Sequence, residues 1–466
     1  MLLLFLYMPY TQYTFGDMKQ RLANELGDSG KVFFTDHELG RYIIEALHWW
    51  GLSTMYFRET GKIDTVANQS FYYIENSLSN GAGTSLLQSL SITDRELIND
   101  INYFIMENQI SSWAGGWIGT EMFSLQEISS ILSDSRDEFL KLTAMIAEGY
   151  DVPTNDQRVE LPADHIRILR GEVTPSGSAG PLPIWAVDQV ELYTTFRETS
   201  FPEARRPKAY TVSYSPQLTV DIWPAPNVPT LVGIQGIKSG ASLDPQSSAT
   251  ILKIPDDASF LLKYRTIADL LSGDGLARCP QIAQYCEMRY MDGLEAASRY
   301  LSVLWQNDGG PRGQITSTAQ WDQVRPTWRY TPTGQPRTVA QLNWNTLAVR
   351  PLPDDEYTLT FESIRKAPIP TADGDFIQVG RESIQAIYDY AQHIALIKSQ
   401  GLEFEVTMQR YESAKMMAEE YRQQVASQSY LYQSTQLPSL QEKWFRPLRK
   451  KIPVQASAED RQLVEE

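Results

Sequence analysis

The chain has 466 residues, 42% apolar and 11% aromatic, which suits two to four packed globular units and excludes a disordered polypeptide. Its formal net charge of −16 excludes a general nucleic-acid binder, which needs a basic face to displace counterions from phosphate. The same charge suits a passive DNA conduit, whose wall repels a polyanion weakly and lets it slide. Cys279 and Cys286 are the only cysteines, so disulfides do not hold the fold together, and His37, His48, His165 and His393 show no metal-ligand spacing.

The apolar opening from Met1 to Tyr10 is far shorter than the ~20 residues a membrane span needs. It also lacks the basic flank and small-residue cleavage site of a signal peptide, and reads as a packing arm. Phe15, Met18, Leu22 and Leu26 then fall on one side of a helix. Three further helix starts share a signature in which a hydroxyl residue precedes Glu by three: Thr35/Glu38, Thr93/Glu96 and Ser124/Glu127. This is the reciprocal capping box, and the apolar residues after each recur at intervals of three and four. Residues from about 12 to 150 therefore read as a helical bundle, in a pattern suggestive of internal duplication.

From about residue 158 the pattern becomes strand-like. Val159–Pro162 and Trp185–Tyr193 flank a Pro/Gly/Ser loop at Thr174–Pro183, and Tyr210–Tyr214 and Leu218–Trp223 alternate with period two. An internal echo follows: Leu218-x-Val220 leads to Pro224 and Pro226, and Leu347-x-Val349 leads to Pro351 and Pro353. Likewise Pro255-Asp256-Asp257 precedes a strand-like Phe260–Tyr264, and Pro353-Asp354-Asp355 precedes Tyr357–Phe361. Asp274-Gly275 and Asp373-Gly374 mark turns before the following helices.

The clearest helices come last. Ile384, Ile387, Tyr388, Ala391, Ile394 and Ala395 line one face up to Gly401, and Tyr411, Ala414, Ala418, Tyr421 and Val425 line the next. Such a stripe is core or a subunit seam. After Pro438 periodicity stops, and Lys443, Arg446, Arg449, Lys450 and Lys451 cluster around Trp444 and Phe445 before an acidic end. That segment reads as an extended partner-binding arm, with a solvated tail as the competing reading.

No phosphate loop or nucleophile elbow is present. Gly81–Ser85 and Asp373–Asp375 read as turns, not as phosphate or calcium sites, and no cofactor or metal is expected. Paired carboxylates for a glycosidase would need two acids facing across a cleft, and the 57 acids single out no pair. Asp256/Asp257 and Asp354/Asp355 read as turn residues. The fold class is α+β: a helical bundle platform over 1–170, a projecting β-rich unit (sandwich or barrel-like) over 171–345 with a helix near 278–305, a strand pair with two amphipathic helices over 346–436, and the arm over 437–466.

With its Thr-Asp-x-Glu-Leu-x-x-x-Ile helix starts at Thr35–Ile43 and Thr93–Ile101, and its Pro-x-Pro-Asp turn at Pro351–Asp355, the chain resembles the head-to-tail adaptor proteins of tailed bacteriophages. The likeness covers about two-thirds of the chain, which is about twice the length of a compact adaptor and carries extra β-rich sequence. The resemblance implies a non-enzymatic virion protein, a ring commonly of about twelve copies around the DNA channel. It implies a portal protein above, a tail or nozzle protein and tail fibres below, and docking of the C-terminal arm on the portal. No membrane and no sequence-specific DNA contact are expected. Another tail subunit (tube, nozzle or fibre-attachment) and a virion-associated cell-wall glycosidase are the alternatives.

Overall fold

The computed structural model describes residues 10–428 apart from 74–89, 106–121, 176–181, 189–206, 214–217, 244–248, 274–277, 299–302, 306–313, 317–332, 401–403 and a few single positions. Among the described residues it is a mixed α+β fold with eight α-helices and three sheets.

The helix starts follow the predicted chemistry. In α2 (Asp36–Thr54) and α3 (Asp94–Phe104), Thr35 and Thr93 accept from the backbone N–H of Glu38 and Glu96, whose carboxylates accept in return from the backbone of the capping residue. The same box opens α1 (Phe15–Glu25), with Thr14 and Asp17. In α4 (Leu125–Thr143) only the Ser124 half forms. Each cap satisfies donors that a helix start leaves orphaned.

Helices from both ends of the sequence share one core. Leu39, Ile43, Leu47 and Trp50 of α2 lie in the same apolar cluster as Ile387, Ala391 and Ile394 of α7 (Ile384–Gln400) and Tyr411, Ala414 and Ala418 of α8 (Phe404–Gln428). A strand pair brings the two ends together. β1 (Arg58–Asp64), directly after α2, runs antiparallel to β14 (Thr358–Ile364) from Arg58↔Ile364 to Asp64↔Thr358, and β10 (Val303–Trp305) lies on the other edge of β14.

Two helices from mid-sequence, α5 (Ser259–Ser272) and α6 (Pro280–Ser298), complete this core. Here an expectation fails: Phe260–Tyr264 is helix, not strand. A short apolar run cannot separate a buried strand from a buried helix, and Phe260, Leu261, Leu262 and Tyr264 are all buried, as in a helix covered on every side. The two Pro-Asp-Asp segments therefore differ. Asp354 and Asp355 are exposed turn residues before β14, whereas Asp256 and Asp257 open a 3-10 turn (Asp256–Ala258) with both side chains buried. Nor do β13 (Thr346–Arg350) and β14 pair with each other. β13 lies in a separate sheet ordered β11 (Gln314–Thr316), β12 (Thr338–Asn343), β13, β2 (Phe71–Tyr73).

The largest sheet has seven strands: β3 (Glu148–Thr154), β9 (Thr230–Lys238), β5 (His165–Pro175), β6 (Leu182–Ala186), β7 (Ala209–Ser213), β8 (Thr219–Trp223) and β4 (Arg158–Glu160), in that spatial order. All neighbours are antiparallel except β6 and β7, whose parallel register sets Trp185 against Ala209. Val173, Ile184, Val220, Ile222, Val232 and Ile234, drawn from both halves, meet in a second apolar cluster. The sheet begins at Glu148, and residue 171 falls inside β5. The first Leu-x-Val run leads into β8 and the second lies in β13, and each strand is followed by a cis-proline, Pro224 and Pro351. Arg136 of α4, fully buried, donates to Ala241 O at 3.0 Å, and Ser239 Oγ donates to Asp137 at 2.7 Å, tying the exit of β9 to the helical core.

Helices α5 and α6 approach closely at Gly293, where an added Cβ would overlap the Leu261 side chain. Gly293→Ala is expected to destabilise by ~1–3 kcal/mol through overpacking, read as a lower urea midpoint at unchanged slope. At Gly374, where a Cβ would meet nothing, the same change should stay within about 0.5 kcal/mol.

Candidate functional site: an acidic cleft over a buried charge network

Residues at intervals of three and four on two helices build a concavity among the described residues. Glu38, Arg41, Tyr42, Glu45 and His48 share one face of α2, and Glu96, Asp100, Tyr103 and Phe104 share one face of α3. Phe260 and Lys263 of α5 and Ile394 and Ile397 of α7 close a cleft of about 310 Å³. Its rim at Glu96 is exposed, whereas Lys263 on the floor is buried.

The floor is an ion pair with a hydrogen-bonded surround. Lys263 Nζ contacts the Glu45 carboxylate, which also accepts from Tyr264 Oη at 2.7 Å and from Tyr390 Oη at 3.4 Å. Burial alone would raise the Glu45 carboxyl. Lys263, the Tyr264 hydrogen bond and nearby Arg289 outweigh it and hold the group below its ordinary range. Behind this pair Arg289 of α6, only 1% exposed, donates to Tyr285 Oη at 3.2 Å and to Tyr390 Oη. Its guanidinium lies 4.1 Å from the Tyr411 ring, 4.6 Å from Tyr390 and 5.0 Å from Tyr264. Tyr285 Oη and His393 Nε2 are 2.6 Å apart, and Trp49 stacks on Tyr390 with centroids 4.5 Å apart.

Nearer the mouth, Arg41 pairs with Asp100 and stacks over Tyr103 at 4.6 Å. Desolvation raises the Asp100 carboxyl against the pull of Arg41 and Lys263, and the charges of Glu45 and Glu96 add to the rise. At the far end His48 Nδ1 lies 2.6 Å from Asp257, which also accepts from Ala367 N at 3.3 Å. Asp256 accepts from Ser91 N and Oγ at 2.9 and 2.7 Å and from Ile92 N at 3.1 Å. Two aspartates expected in a turn thus fasten the loop before α3 and the strand leading to α7.

The cleft does collect carboxylates, as a glycosidase would. Each is already engaged within the fold. Glu38 and Glu96 complete helix caps, Glu45 holds Lys263, and Asp100 holds Arg41. This arrangement suits holding a cationic or amphipathic group. Among the described residues no group of His, Cys, Asp and Glu could hold a metal, and no helix is long and apolar enough to cross a membrane. Burial pushes the Cys286 thiol up, away from nucleophilic use. Asp373–Asp375 is a turn: the Asp375 carboxylate accepts from Thr371 N and Ala372 N, both at 2.8 Å, and Asp373 pairs with Lys19.

The partner-binding residues read from sequence, Lys443, Trp444, Phe445, Arg446, Arg449, Lys450 and Lys451, lie outside the described residues, as do Gly81–Ser85, Asp274-Gly275 and Met1–Pro9. Glu45, Asp100, Lys263 and Arg289 do not stand out in the sequence. The one signal they carry is a charge set within an apolar helix face, as Glu45 is between Ile44 and Ala46.

Lys263→Met should leave the largely covered Glu45 carboxylate without its counter-ion and cost ~3–5 kcal/mol at neutral pH, and adding Glu45→Gln should recover much of it in a denaturation cycle. Because the folded Glu45 carboxyl is depressed, its contribution is complete above its ordinary value of 4.5 and is lost as pH falls through the folded value. Glu45→Gln should therefore lose less stability than the parent as pH falls below about 4.5, measured by thermal melts.

The chain matches no family model and no curated protein.

Proposed function

We propose that this chain is a structural protein of a tailed-phage virion, a head-to-tail adaptor that forms a ring between portal and tail around the DNA channel. The observation that carries the reading is the single helical core built from both ends of the sequence. α1, α2 and α3, whose caps carry the adaptor resemblance at Thr35 and Thr93, pack in one apolar cluster with the long α7–α8 hairpin. A core cross-tied by buried ion pairs suits a part whose role is geometric, since it resists the shear of passing DNA better than two hinged units.

In this reading the helical core is the platform that repeats side by side around the ring. The seven-stranded sheet projects from it as a sandwich-like unit. The segment over 437–466 reaches the portal, with Trp444 and Phe445 as anchors and Lys443, Arg446, Arg449, Lys450 and Lys451 as the electrostatic guide. The net charge of −16 keeps the lumen from binding DNA. Ring closure comes from apolar and aromatic burial between neighbours, and a nozzle or tail protein, with or without fibres, binds the opposite side.

Solution mass tests this. The protein is expected to be monomeric alone and to form a stoichiometric ring complex when mixed with its portal. A ring formed alone moves it to a self-assembling tail tier such as a tube, nozzle or fibre-attachment subunit. A persistent monomer that ignores the portal overturns the adaptor reading. A cell-wall glycosidase would need two free carboxylates facing across a cleft, and those of this cleft are held in helix caps and ion pairs, so release of peptidoglycan fragments by the purified protein would overturn the structural reading.

A further inference from the structure

The cleft between α2, α3 and α5 and the most basic stretch of the chain are complementary. Four carboxylates line the cleft (Glu38, Glu45, Glu96 and Asp100) against two permanent cations (Arg41 and Lys263), an excess of two negative charges. Its walls are aromatic: Tyr42, Tyr103 and Phe104 are half-buried, and Phe260 lies deeper. Residues 443–451 hold five Lys or Arg, two adjacent aromatics in Trp444 and Phe445, and no acid, in a chain of net charge −16. Aromatic anchors flanked by cations suit an aromatic cleft with an anionic rim.

The path between them is short. Tyr421, about two turns before the end of α8, lies 5.7 Å (ring centroids) from Trp50 at the C-terminal end of α2. His48, two residues before Trp50, already lines the cleft. From Gln428 to Lys443 is 15 residues, which extend to about 50 Å, against about 28 Å for the whole of α2. A tether of this length gives an effective concentration on the order of mM, far above that of a second copy in dilute solution, so the favoured occupant is the chain's own segment.

We propose that residues 443–451 occupy the cleft of their own chain, with Trp444 and Phe445 against its aromatic walls and the basic side chains over its carboxylates. The inference stands without the adaptor reading, which adds that a portal must displace the segment to bind it. The free protein then keeps its partner-binding residues covered until a surface that competes for them arrives.

Zero-length carbodiimide coupling of the dilute full-length protein, followed by mass spectrometry, tests this. Lys443, Lys450 and Lys451 are expected to couple to Glu38, Glu96 or Asp100. In a mixture of heavy- and light-isotope protein, those links should join residues of the same chain. The exposed pair Lys253–Glu148, 3.0 Å apart, should couple throughout and reports that the chemistry worked. Trp444→Ala with Phe445→Ala, which leaves the lysines and the folded core in place, should lower the segment-to-cleft yield by about tenfold, as loss of aromatic anchors does. Coupling of these lysines to carboxylates of the folded core outside the cleft, heavy-to-light links to the cleft, or a yield indifferent to the double variant would each overturn the proposal, whereas links to Glu442 and to the acidic end reflect nearness in sequence. So would the control link forming without any link to the cleft. None of these outcomes bears on whether a portal nucleates a ring, which the mass measurement decides separately.

Discussion

The Glu45–Lys263 pair and the Arg289 guanidinium behind it fix how the helices meet. Glu45 belongs to α2, Lys263 to α5, Arg289 to α6, Tyr390 to α7 and Tyr411 to α8, so one connected set of polar groups touches five helices drawn from three parts of the sequence. Apolar burial supplies most of the free energy of such a core but tolerates sliding. A buried carboxylate that must face one ammonium and one phenol tolerates very little, because a misplaced partner leaves an unsatisfied charge.

Arginine at position 289 fits this place in a way lysine would not. The planar guanidinium lies against tyrosine rings and donates at its edge to Tyr285 and Tyr390, so one side chain satisfies both ring faces and hydroxyls. The cation is in turn part of what keeps Glu45 ionised. Charge balance in the interior thus runs through tyrosines as well as carboxylates. The mouth of the cleft shows the opposite balance, with Asp100 raised by desolvation although Arg41 touches it.

Much of the helical part was legible because its signals are local. A hydroxyl residue three before Glu specifies a cap from four residues alone, and Thr35 and Thr93 behave accordingly. The helical stripes of α7 and α8 were equally plain. What failed depended on distant partners. Phe260–Tyr264 is apolar at almost every position, so periodicity could not reveal a helix buried on all sides. β5 escaped notice because bulges between His165 and Arg167 and between Ile168 and Arg170 break its alternation. Asp256 and Asp257 carry a turn signature, and only the fold brings Ser91, His48 and Ala367 to them. The cleft was invisible for the same reason: α2 and α3 each show a mixed face, and nothing local says that they face each other.

The joining of β1 to β14 and of Trp49 to Tyr390 has a consequence for synthesis. Trp49 and Tyr390 are 341 positions apart, so at translation rates of about 5–20 residues per second α2 waits roughly 17–70 s for its partner. Until then Trp49 and Trp50 lack the aromatic rings of Tyr390 and Tyr421 that pack against them. The seven-stranded sheet, with all its strands between Glu148 and Lys238, can close long before the helical core does. Nascent chains should therefore spend most of their time half-finished, with a completed sheet and an open α2, the state in which a holdase would find its substrate.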